Sequence, residues 1–217
     1  MLQEAARDFL RESSPLSACR SVLESQRPFD EELWKGAAQL GWLGTTIPEE
    51  HGGAGFGHLE LAVIAEEVGR SLAPIPFAST AYLGTEALLL AGSEEQRREW
   101  LPRIAAGERI LTFAFAEGAG QNGAAGSEAH FDGSTLTGTK VPVLDGASAH
   151  AAIVVARHDD ALSWVIVDLE GDGVQRETLE SFDPSRPLGR ITFERAPATL
   201  LGTAGAGQAM TDRLLDR

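Results

Sequence analysis

The chain has 217 residues, 43% of them hydrophobic, with a formal net charge of −14 and a pI near 4.7, enough for one large domain or two ordinary ones. So acidic a surface repels phosphate backbones and anionic lipid, which excludes nucleic acid and membrane surfaces as expected partners. The single cysteine, Cys19, forms no intrachain disulfide, no apolar run reaches the length of a membrane span, and the mixed-charge start MLQEAARDFLRESS is not a signal peptide, so the expected location is cytoplasmic.

The first half reads as helix. Leu2, Ala5, Ala6, Phe9 and Leu10 form a helical stripe that Pro15 ends or resets. Asp30 is a natural N-cap, with Glu31 and Glu32 placed where the helix dipole favours acids. Leu33, Ala37 and Leu40 follow on one face, and Gly41 is a natural stop. Gly52-Gly53-Ala54-Gly55-Phe56-Gly57 invites a nucleotide-loop reading but lacks the preceding strand that such a loop requires. Leu61, Ile64, Ala65 and Val68 mark the next helix, which Gly69 is expected to close. Thr80 to Ala91 is apolar nearly all round and predicts a buried helix, with Ser79 and Thr80 at its capped start. Ser93 with Gln96 fits a capping box for a last helix stopping near Pro102. Glu49, Glu50, Glu66 and Glu67 read as a solvated acidic face, and the five histidines lack the spacing of a metal site.

After Gly107 the pattern turns to strands. Ile110–Phe115, 127–131 and 134–139 around Asp132-Gly133, His150–Ala156, Leu162–Asp168, Val174–Leu179 and Arg190–Glu194 are short and β-prone. The fold class expected is α+β: an all-α helical domain over 1–107, then a small antiparallel β-barrel or sandwich domain over 108–199. Residues 200–217 pass through a glycine-rich stretch into the opening of a further helix.

The ordered run from Leu40 to Thr80, LGWLGTTIPEEHGGAGFGHLELAVIAEEVGRSLAPIPFAST, resembles the N-terminal helical domain of the acyl-CoA dehydrogenases. The helices-then-strands order resembles their first two domains, without the C-terminal helical bundle. The resemblance implies an FAD-dependent oxidoreductase of fatty-acid and lipid metabolism. Such an enzyme acts on an acyl-CoA, passes electrons to an electron-transfer flavoprotein or similar acceptor, and works as a homo- or hetero-oligomer. It implies a flavin-contacting loop at Phe115–Asn122, where Glu117 and the glycines match, Ala116 stands for Thr and Gly118 for Pro, and Gln121 or Asn122 lies near the usual Ser. A second flavin segment is implied at Leu136–Gly146. Gly138 and Lys140 match there, Pro142 replaces an aromatic residue, Leu144 a hydroxyl residue and Asp145 an Asn. The cofactor-binding candidates are therefore Ala116, Glu117, Gly118, Gly120, Gln121, Val143 and Leu144. No residue is a candidate base, because the family's carboxylate lies in the bundle, so the chain alone is expected to be inactive. A member lacking the bundle is also expected to show a large apolar patch, or self-association, at the β-domain face that meets the bundle. A non-catalytic, degenerate subunit of a heteromeric dehydrogenase is the alternative, and a flavin monooxygenase or oxidase on the same scaffold a third reading.

Overall fold

The computed structural model describes residues 1–25, 27–118 and 124–216. Helices α1 (Leu2–Ser13) and α2 (Leu16–Ser25) flank Pro15, and α3 (Glu31–Gln39) begins where the Asp30 carboxylate accepts the amides of Glu32 and Leu33. Removing that cap in Asp30→Ala is expected to cost about 1 kcal/mol, read as a shift in urea midpoint at constant slope. Gly41 takes φ +76° and turns the chain out of α3. The glycine-rich loop then folds back on the preceding turn. Its amides at 53, 54, 55 and 56 donate to the carbonyls of Pro48, Gly44, Ile47 and Thr45. A Cβ at Gly53 would lie 2.0 Å from the Ile47 oxygen. The loop's donors are thus spent inside the fold, a second reason that it is no phosphate cradle.

Helix α4 (His58–Arg70) buries Leu61, Ile64 and Val68. Gly69 lies inside it rather than closing it, and the chain turns at Leu72, with φ +50°. Glu67 departs from the expected solvated face. It is 1% exposed and takes a two-pronged bond from Arg7, at 2.7 and 3.0 Å, with Arg70 at 3.5 Å. A buried carboxylate requires such a partner, and α1 supplies it. Glu49, Glu50 and Glu66 are exposed as expected.

Helix α5 runs from Ala78 to Ala91, its first part, Ala78–Gly84, wound as π-helix and the rest, Thr85–Ala91, as α-helix. Helix α6 (Glu94–Ala105) opens with the expected capping box of Ser93 and Gln96. It continues past Pro102. Leu101 and Ile104, both 0% exposed, anchor the last turn, and their burial outweighs the helix hydrogen bond that Pro102 cannot donate.

The strands are β1 (Leu111–Ala114), β2 (His130–Phe131), β3 (Thr135–Leu144), β4 (Ala151–His158), β5 (Ala161–Asp168), β6 (Val174–Leu179) and β7 (Leu188–Leu201), followed by helix α7 (Gly207–Leu215). The ring β4–β2–β3–β7–β5 closes through β5–β4, so the sheet is a barrel, with β1 added to β4 and β6 to β7. Most pairs are antiparallel, but β1 runs parallel to β4, and β2 makes a one-residue parallel link to it at His130–Arg157. The whole β2–β3 hairpin lies between β1 and β4 in sequence, a connection long enough for a parallel crossover. His150 closes this junction: the Ile110 amide donates to its Nδ1 at 2.9 Å, and its own amide donates to the Ile110 oxygen. Strand β7 is far longer than the 190–194 segment expected. It pairs with β3 and β6 first, bends at Arg195 (φ +56°), and ends on β5.

Alternation along β4 and β5 divides the core in two. Ala152, Val154, Val165 and Val167 join a cluster that spans the barrel interior and helices α1, α3 and α4. Ala151, Ile153, Val155, Trp164 and Ile166 join a second cluster with Leu88, Leu101, Ile104 and Leu214 from α5, α6 and α7. Helices and barrel therefore share both cores. The large apolar side chains left exposed include Phe182 and Leu16, Leu23 and Leu72, the last three bordering the groove that faces Asp183–Ser185. No described helix is long and apolar enough to cross a membrane.

Candidate functional site

The two segments singled out in the sequence meet. Beyond β1 the chain continues through Phe115 to Gly118 along β3, where the Val141 amide donates to the Ala116 carbonyl at 2.9 Å and Glu117 bridges to Val141. The pairing of β3 with β7 slips between Lys140 and Val143, so Pro142 sits in a bulge and is exposed. Ala116 is buried, Gly118 has open space where a Cβ would be, and Leu144 is half-buried. Val143 points into the core at 1% exposure. Gly120 and Gln121 lie outside the described residues.

Glu117 is held from several sides. Its Oε1 accepts from Lys140 Nζ at 2.6 Å and from the Ala129 amide at 2.9 Å, and it lies 2.7 Å from the Ser127 hydroxyl; its Oε2 accepts from the Glu128 amide at 2.8 Å. Lys140, 0% exposed, also donates to Ser127 Oγ at 2.8 Å and reaches the Phe115 carbonyl at 3.4 Å. Burial pushes the Glu117 carboxyl up, but the bonds from Lys140, Ala129, Ser127 and Glu128 outweigh it and hold it below the usual carboxylate range. For Lys140 burial wins, and the ammonium titrates below the usual lysine range although Glu117 opposes this. The carboxylate of Glu117 thus faces the protein's own donors. Lys140 and Ser127 were not among the candidates. The signal for Lys140 was available, since alternation on β3 puts it on the buried side with Leu136, and a buried ammonium demands an acid.

The turn after β3 carries a second buried carboxyl. Asp145 adopts φ +53°, is 7% exposed, and lies 2.6 Å from the hydroxyl of Ser79 on the π-helical turn of α5. Burial pushes its value up to about 6, against the opposing effects of Ser79 and the charge of Arg186. The Ser79 hydroxyl donates to Asp145 Oδ2, with the Pro76 carbonyl a second acceptor at 3.1 Å. Ser79 therefore ties α5 to the barrel rather than capping a helix start.

The residues present fit a flavin in part. Two adjacent backbone segments and the half-buried Leu144 can form an apolar wall. The hydroxyls implied at 116 and 144 are missing, Pro142 has no amide proton, and the amides of Val141, Asp145 and Gly146 already donate to Ala116, Pro187 and Val143. Donors for a flavin edge must then come from the Ala116–Gly118 end. Among the described residues no three His, Cys, Asp or Glu could hold a metal ion, and His51 is buried, 3.9 Å from both Glu50 and Glu94.

Residues 1–108 match the family described as acyl-CoA dehydrogenase, N-terminal domain. Acyl-CoA dehydrogenase FadE27 of Mycobacterium tuberculosis is 35% identical over 71% of this chain and 41% of its own length. The solved structure of a variant of the Tcur3481-Tcur3483 steroid ACAD is 33% identical with a TM-score of 0.87, over 99% of this chain and 58% of that one. The crystal structure of an acyl-CoA dehydrogenase complexed with FAD from Bacillus anthracis is 26% identical with a TM-score of 0.91, over 100% of this chain and 39% of that one. The chain spans 38% and 41% of the first curated relatives it matches.

Proposed function

The chain belongs to the acyl-CoA dehydrogenase family, and from that premise we propose that it forms the helical and barrel walls of an FAD site in an enzyme oxidising the CH–CH group of an acyl-CoA thioester. FAD, when bound, supplies the electron-accepting chemistry. The observation that supports this reading is the strand end at Ala116 and Glu117 paired with Val141, which brings the two segments side by side on the barrel. In this proposal Ala116, Gly118 and Leu144 border the flavin, with Gly120 and Gln121 on the same loop, Glu117 and Val143 supporting from behind, and no residue of the chain serving as base. Residues 1–107 are the helical unit, 108–199 the barrel unit, and 200–217 lead into further helix. The partners proposed are an acyl-CoA, an electron-transfer flavoprotein or similar acceptor, and other subunits of the family, in the cytoplasm.

A second reading has its own support. The losses at 116, 142 and 144 remove donors and an aromatic ring together, which favours a subunit that completes a partner's site without holding FAD itself. The similarity to the Tcur3481-Tcur3483 steroid ACAD, whose name joins two proteins, points the same way. Absorbance spectroscopy separates the two. The first reading expects purified protein, reconstituted with FAD and desalted, to keep a visible flavin band. Protein that stays colourless alone, and turns yellow only when co-purified with a second family subunit, would overturn it in favour of the other.

A further inference from the structure

We propose that Glu117, Lys140 and Ser127 form a positioning clamp for the loop between β1 and β2. This rests on the flavin reading above only for what the loop presents, not for the clamp itself. The loop leaves β1 at Glu117 and returns at Ser127–Ala129. One carboxylate joins both ends, because Glu117 bonds to the amides of Glu128 and Ala129 and contacts the Ser127 hydroxyl. One ammonium fixes that junction to the barrel: Lys140 on β3 donates to Glu117, to Ser127 and to the Phe115 carbonyl, so each of its three protons has an acceptor. Ser127 also lies 3.0 Å from the Val155 carbonyl, which ties the junction to β4 as well.

The arrangement has a direction. Among the described residues, the hydrogen bonds of the Lys140 ammonium all go to the loop's two ends. A buried pair of this kind is a weak source of net stability but a strong source of register, since any other placement of the loop strands two charges in an apolar setting. Glu117 is thus a positioning residue whose side chain faces inward while its backbone and that of Gly118 stay at the surface. Of the residues matched between the two flavin segments, Glu117 and Lys140 are the pair whose side chains bond each other.

The test compares the whole chain with Glu117→Gln, Lys140→Met and the milder Ser127→Ala, using amide hydrogen exchange without cofactor and FAD titration alongside. The clamp predicts exchange over 124–129 at least tenfold faster in Glu117→Gln and Lys140→Met, and severalfold faster in Ser127→Ala, with the β4 and β5 amides within twofold of the parent. It also predicts a tenfold or greater loss of FAD affinity in the two charge variants. Uniformly faster exchange across the barrel, or an unchanged rate over 124–129, would overturn it; should the charge variants fail to fold, Ser127→Ala decides. A parent chain that binds no FAD removes the flavin reading and leaves the exchange pattern to judge the clamp.

Discussion

Trp164→Ala is expected to destabilise the protein by about 3–5 kcal/mol, the range for emptying a large aromatic site in a packed core. Trp164 is 0% exposed on β5. Its ring meets Phe113 of β1 edge-on, with centroids 5.0 Å apart, and its Nε1 donates to Thr211 Oγ1 of α7 at 3.0 Å. One side chain therefore joins the barrel, its added strand and the final helix. Urea unfolding followed by circular dichroism measures the loss. Thr211→Val tests the polar part separately. It keeps the packing but strands the indole N–H, at a cost of about 1–3 kcal/mol. Thr211 itself donates to the Gly207 carbonyl at 2.7 Å, so that variant also loosens the start of α7. A Trp164→Ala loss under 1 kcal/mol would mean that the second core is not built around this ring.

Asp145→Asn is expected to stabilise the protein by about 1–3 kcal/mol at pH 8 and to leave it nearly unchanged at pH 4. The sign follows from burial. A carboxyl whose folded value is raised from 3.8 to about 6 binds its proton more tightly in the folded state. Its contribution is intact below the ordinary value and is lost as pH climbs through about 6. At pH 8 the ionised group must sit 7% exposed, with only the Ser79 hydroxyl bond and the charge of Arg186 to offset its burial. Asn keeps the positive φ, which it tolerates better than most residues, and its amide can donate to Ser79 Oγ. Urea midpoints from pH 4 to 8 check this. The parent should weaken across that window more than the variant, and parallel curves would refute the buried-acid account.

Caps and stripes were readable from the chain because their partners lie within a turn. Asp30 bonds two and three residues ahead, and Ser93 pairs with Gln96. Breakers misled. Pro102 and Gly69 carry a local penalty, yet both lie inside helices, since burial of Leu101, Ile104 and Val68 on those helices outweighs it. Strand β7 was under-read because Glu194, Arg195 and Pro197 interrupt its alternation exactly where it bends and changes partner. At the candidate site, Ala116, Pro142 and Leu144 could be named as departures, but not what surrounds them.

Composition and periodicity alone determined a helical half, a strand half and the place where one yields to the other. Those properties depend on neighbours three or four positions away, which any window of sequence contains. Only the folded chain decided which charges are buried and what meets them. The bonds that matter there join residues 60, 23 and 66 positions apart: Arg7 with Glu67, Lys140 with Glu117, Ser79 with Asp145. An acid reads alike in sequence whether it faces water or a guanidinium, because its desolvation and its partner exist only once helix and barrel have closed on it.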